Sequence, residues 1–96
     1  MIRKIEEVVC SVVGSIEPCD LYKGRGNIPA KRVAARDFCL YLMHDRLGLG
    51  YRRIASLTGL NQRSVIRNVS KVRTFLSSED NLYLGYWEKI KEKLNL

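Results

Sequence analysis

Between Ile54 and Val72, small, turning and branched residues fall at the distances that two helices in contact require. Gly59 follows Ala55 by four residues and precedes Val65 by six, and Val69 and Val72 continue the series. Helices approach closely only where a small side chain stands at the contact, which Ala55 provides. A tight turn between them needs a residue free to take positive φ, which Gly59 provides. Leu60 is placed to plug the turn from below. Ile54 faces the core, and Val65, Val69 and Val72 recur at helical steps as a buried stripe. Asn61 stands where a side-chain oxygen accepts from first-turn amides, so it is the expected N-cap. The stretch therefore spells a helix-turn-helix: a short helix from about Tyr51 to Leu57, a break at Thr58-Gly59, and a second helix from about Gln62 to Leu76.

The remaining periodicity is helical too. Ile2, Ile5, Val9 and Val12 give an amphipathic helix that ends near Gly14. Both prolines and two glycines lie in "SIEPCDLYKGRGNIP", which reads as a short helical turn around Pro18 to Tyr22 and then a basic loop. A long helix is expected from near Ala30 to about Leu47, closed by "LGLG", and a last one from about Asp80 to Leu94 with Tyr83, Trp87, Ile90 and Leu94 on one stripe. No stretch alternates apolar and polar residues over strand length. The expected fold is all-α: one domain over residues 1–96, a compact bundle of about five to six helices around a central helix-turn-helix, Trp-repressor-like. No apolar run approaches the ~20 residues of a membrane span. "MIRKIEEVV" lacks the pattern of a signal peptide. A soluble, cytoplasmic protein with no membrane partner is expected. Cys10, Cys19 and Cys39 have no metal-type spacing, and each is read as a small buried hydrophobe in a reducing compartment.

Charge narrows the function. Twelve of the seventeen cations lie between Lys23 and Arg73, against two acids, Asp37 and Asp45, and no acid occurs from Arg46 to Ser78. The other acids gather towards the two ends, and the net charge is +7. A one-signed central segment points to a polyanion, nucleic acid ahead of an acidic protein or a membrane surface. If Val65, Val69 and Val72 point inward, then Gln62, Arg63, Ile66, Arg67 and Ser70 point outward, a face of the width that a DNA major groove admits. Glutamine can pair with adenine, arginine with guanine, and an exposed isoleucine can meet a thymine methyl. Arg52, Arg53, Lys71 and Arg73 are better placed for phosphates, which position a protein without reading sequence.

The order of motifs resembles the C-terminal DNA-binding domain of the bacterial replication initiator DnaA, over nearly the whole chain. "CDLYKGRG" looks like that family's short Asp-Leu helix and basic loop. "AARDFCLYLMHDRLGLGYRRIA" is similar to its Ala-Arg opening of a long helix and the Ile-led helix that follows. "SVIRNVSKV" resembles its recognition helix. The resemblance implies a minor-groove arginine at Arg25 or a neighbour, a phosphate contact from Arg36, and base reading by Asn61, Gln62, Arg63 and Ser64. Lys23, Lys31 and Arg32 are expected beside them on backbone or minor groove. It also implies double-stranded DNA as partner, bound by a monomer, in replication initiation or its regulation. The family writes Gly-Gly-Arg-Asp-His-Thr-Thr-Val where this chain has "TGLNQRSV", so the family's target sequence does not carry over. Asn68 stands where the family has a small apolar residue. No phosphate-loop motif occurs, so ATP hydrolysis is not implied. A transcriptional regulator, a mobile-element or phage protein, and a protein-interaction module with an acidic partner are the alternatives.

No catalytic set, metal site or cofactor is expected. His44 is the only histidine, and its neighbour Asp45 cannot share a helix face with it. Cys39 belongs to an apolar pattern, which argues against a Cys-His nucleophile. Tyr83, Tyr86 and Trp87 could stack on single-stranded bases, but their helical spacing places them in or at the edge of the core.

Overall fold

Five α-helices and a 3₁₀ turn account for the regular structure in a computed structural model, which describes residues 1–14, 16–23, 28–78 and 81–96. Helix α1 runs Ile2–Val13, the 3₁₀ turn Pro18–Asp20, α2 Ala30–Asp45, α3 Tyr51–Thr58, α4 Gln62–Ser77 and α5 Asn81–Leu94. No strand occurs among the described residues, so the chain is all-α. Nor is any helix among them long and apolar enough to cross a membrane.

The ends follow local chemistry. Gly14, at φ 89°, stops α1. Helix α2 stops two residues short of the expected Leu47, because the Arg46 and Leu47 amides both turn back onto the Leu42 carbonyl. Gly48 then takes φ 69°. His44 secures this corner: its Nδ1 lies 2.8 Å from the Leu49 carbonyl, so that nitrogen carries the proton and donates it. The same ring stacks on Tyr51 with centroids 4.3 Å apart, which ties the end of α2 to the start of α3. The expected start of α5 at Asp80 lies outside the described residues.

Helix α2 is the axis of the bundle. It touches α1, α3 and α4, and Ala34, Ala35, Phe38, Cys39, Leu40, Leu42 and Met43 are all buried along it. Phe38 stacks parallel to Trp87 of α5, meets Tyr86 edge-on, and lies 5.4 Å from Tyr83 by ring centroids. The α5 aromatics therefore serve the core edge, and Ile90 beside them is fully buried. Arg46 and Lys91 stand 6.0 and 5.8 Å from the Trp87 ring centre and screen its outer side. The buried apolar side chains other than Ala34 join into one cluster.

Cys10 and Cys39 are buried as expected, but Cys19 is exposed. Cys19 stands in the 3₁₀ turn, none of whose residues is buried, and Leu21, which follows the turn, packs inward at 1% exposed. Burial, with Glu6 and Glu17 adding to it, pushes the Cys10 thiol up to about 11. Burial likewise raises Cys39 well above its ordinary value, with Cys10 and Glu6 adding to it. Tyr22, whose hydroxyl donates to Glu6 Oε2 at 2.7 Å, is raised by burial and then by Cys39 and Glu6.

Two outcomes follow. An alkylating reagent at pH 8 should label Cys19 alone in the folded protein and all three cysteines after denaturation, as counted by intact mass. Because folding holds Cys10, Cys39 and Tyr22 neutral, their contribution to stability is complete below about pH 9, where unfolded thiols begin to ionise, and is lost as pH rises towards 11 and beyond. The melting midpoint should fall over that range, and fall less steeply in Cys10→Ala.

Candidate nucleic-acid interface

Helices α3 and α4 join through a three-residue turn, and each junction residue has a defined task. Thr58 donates its hydroxyl to the Ile54 carbonyl at 2.8 Å and accepts the Leu60 amide at 3.3 Å. Gly59 sits in the left-handed region at φ 77°, its amide donating to the Ala55 carbonyl at 2.9 Å. Asn61 is extended, and its Oδ1 accepts the Ser64 amide at 2.7 Å, the expected N-cap. Ile54 is buried, while Ala55 and Leu60 are half-buried against the core. The bonding role of Thr58 is one that its place in the "TG" break does not reveal.

Val65, Val69 and Val72 have no exposed surface, so the rotation of α4 is set. Asn61, Gln62, Arg63, Ile66, Arg67 and Ser70 lie on the exposed side. Ile66 is 39% exposed, an unusual place for a large apolar side chain in the middle of a helix between two arginines. Ser64 is half-buried at the rim of this face, with its amide committed to the cap. Leu57, near the end of α3, is a further exposed apolar side chain, at 51%. Asn68 is buried, 6% exposed, on the packed side of α4.

The cations expected on DNA backbone divide into three groups. Arg52, Arg53 and Arg73 are exposed, and no acid pairs with them among the described residues. Lys31 is exposed, Lys23 is exposed and 3.8 Å from Asp20, and Arg32 is half-buried with its Nε enclosed and without a hydrogen-bond partner among the described residues. Arg25 lies outside the described residues. Arg36 and Lys71 form the third group, since both are engaged by Asp37.

Asp37 is fully buried on α2. Arg36 Nε donates to its Oδ1 at 3.3 Å, and Lys71 Nζ reaches in from α4 to 2.7 Å from Oδ2. The lysine contact is held by charge more than by direction, because the ammonium approaches off the line of a hydrogen bond. Lys71 thus serves the α2–α4 contact, with its side chain 36% exposed. Arg36 spends Nε on the same carboxylate and retains 17% side-chain exposure. The sequence gives one signal of this arrangement: Arg36 and Asp37 together interrupt the apolar run from Val33 to Met43.

The turn carries its own test. Gly59 has nothing within 4 Å of where a Cβ would stand, so Gly59→Ala meets only backbone strain, about 1–2 kcal/mol. Asn61→Ala removes the cap at about 1 kcal/mol. Urea denaturation should show both losses with an unchanged m-value. No protein-family model, curated protein or solved structure matches the chain.

Proposed function

We propose that this protein binds double-stranded DNA with a preference for sequence, laying the first two turns of α4 in the major groove. The observation that carries this reading is the division of α4: three valines without exposure on one side, and Gln62, Arg63, Ile66 and Arg67 exposed on the other. That outward set combines an amide, two guanidinium groups and a branched apolar side chain, the chemistry that meets adenine, guanine and a thymine methyl. The surroundings fit a phosphate backbone. Arg52 and Arg53 on α3 and Arg73 on α4 are exposed in a stretch without a carboxylate.

Asn61 joins this set through the amide nitrogen that capping leaves over, and Ser64 reaches it from the rim. Lys23, Lys31, Arg32 and the terminal nitrogens of Arg36 are the further backbone contacts, with Arg25 for the minor groove as the DnaA resemblance implies. The same resemblance suggests replication initiation or its regulation as the setting; transcriptional control and mobile-element or phage biology use the same chemistry. The reading needs no second protomer and no catalytic group.

Selection from a random duplex library at physiological salt should enrich a motif. Affinity for that motif should fall with salt at a log–log slope of about −4 or steeper, as four or more phosphate contacts require. Arg63→Ala should cost about 1–3 kcal/mol on the enriched site and less on random duplex. Weak binding that ignores sequence, with a shallow salt slope, would defeat the proposal and favour an acidic protein partner.

A further inference from the structure

We infer that Asp37 is a positioning residue for base reading: it keys the tilt of α4 on α2 and so sets where Gln62, Arg63, Ile66 and Arg67 stand. The inference rests on the DNA-binding reading above. Its starting point is that the apolar part of the α2–α4 contact has little directional preference. Val65, Val69 and Val72 are small, similar and apolar, and apolar burial is non-directional. The Lys71–Asp37 contact is the one charged link between these helices among the described residues, and its acid is buried. An ammonium drawn off Asp37 would leave its Oδ2 buried without a cation, so departures from this geometry are penalised more steeply than a slide of valines.

Leverage makes the key matter. Gln62 lies nine residues before Lys71, about 13 Å along the helix, so a tilt of about 10° pivoting at Lys71 moves it by about 2 Å. Recognition geometry tolerates about 0.5 Å. Asp37 also holds Arg36 by Nε, leaving the terminal Nη groups uncommitted among the described residues. One carboxylate thereby links a backbone-binding arginine on α2 to the reading helix α4, and fixes the offset between the two kinds of contact.

The charge effect and the positioning effect of removing Asp37 have opposite signs. Asp37→Asn deletes an acid from a DNA-binding protein, so electrostatics alone would tighten binding to every duplex. Positioning instead requires site discrimination to fall. The measurement is affinity for the enriched duplex and for a random duplex, at one salt concentration, with folding checked by circular dichroism and melting. In Asp37→Asn the ratio of the two affinities should drop about tenfold or more, roughly the effect of one mismatched base pair, while random-duplex affinity holds or rises. Since Asp37→Asn leaves Lys71 without its partner, the double variant Asp37→Leu, Lys71→Met provides a folded apolar contact without the charged key. It should show the same fall in ratio. An unchanged ratio in whichever of these variants is folded would overturn the inference while leaving the DNA-binding reading intact. A wild-type protein without any preference would overturn that reading, and the inference with it.

Discussion

A carboxylate without access to water is the constraint around which the rest of this structure is arranged. Burying Asp37 is unfavourable by several kcal/mol unless cations answer it, and here the answer comes from Arg36 on its own helix and Lys71 on α4. The two sources are unequal. Arg36 is adjacent in sequence and accompanies Asp37 however α2 is oriented. Lys71 arrives only if α4 lies across α2 with its valines inward. The bundle's main contact thus contains a condition as well as an attraction: apolar burial brings the helices together, and the ion pair is satisfied by few of the ways they could meet.

The aromatic side of the molecule works differently. Phe38, one residue on from Asp37, faces α5, where Tyr83, Tyr86 and Trp87 surround it in tilted, edge-on and parallel arrangements. Those contacts supply area and shape, and they come from a helix that has no contact with α3 and carries no arginine. Helix α2 therefore has a polar-keyed face towards α4 and an aromatic face towards α5. Stability and orientation are supplied by different neighbours of one central helix.

What was legible in the sequence is what local chemistry decides. Gly59 must turn, Asn61 must cap, and Val65, Val69 and Val72 must share a side, because each depends on residues within a turn or two. The helix-turn-helix and the exposed side of α4 could be written down from those facts. The Asp37–Lys71 pair could not, since thirty-four residues separate its members and sequence records only that one is an acid and the other a base. Composition counts Lys71 with the phosphate-binding cations; geometry gives it a buried partner. Cys19 illustrates the same limit at short range: its type favours burial, but no residue of the 3₁₀ turn is buried, and Leu21, just after it, is.

Subtracting the engaged cations changes the character of the basic segment. From Arg46 to Ser78 the one lysine is Lys71, held by Asp37, and Arg46 lies 3.5 Å from Asp45. The cations of this stretch with no acid partner among the described residues are Arg52, Arg53, Arg63, Arg67 and Arg73, all of them arginine. A surface built for general attraction to a polyanion has no reason to exclude lysine, whose ammonium serves as well as a point charge. A planar fork of donors is distinguished where two parallel hydrogen bonds are to be made at once, to a phosphate or to the guanine edge. The one lysine, half-buried, turns its ammonium onto the buried Asp37 from a neighbouring helix, while the five arginines have no acid partner among the described residues. On the DNA-binding reading proposed above, this all-arginine set suits discrimination by geometry, and the orientation of α4 is then as consequential as its charge.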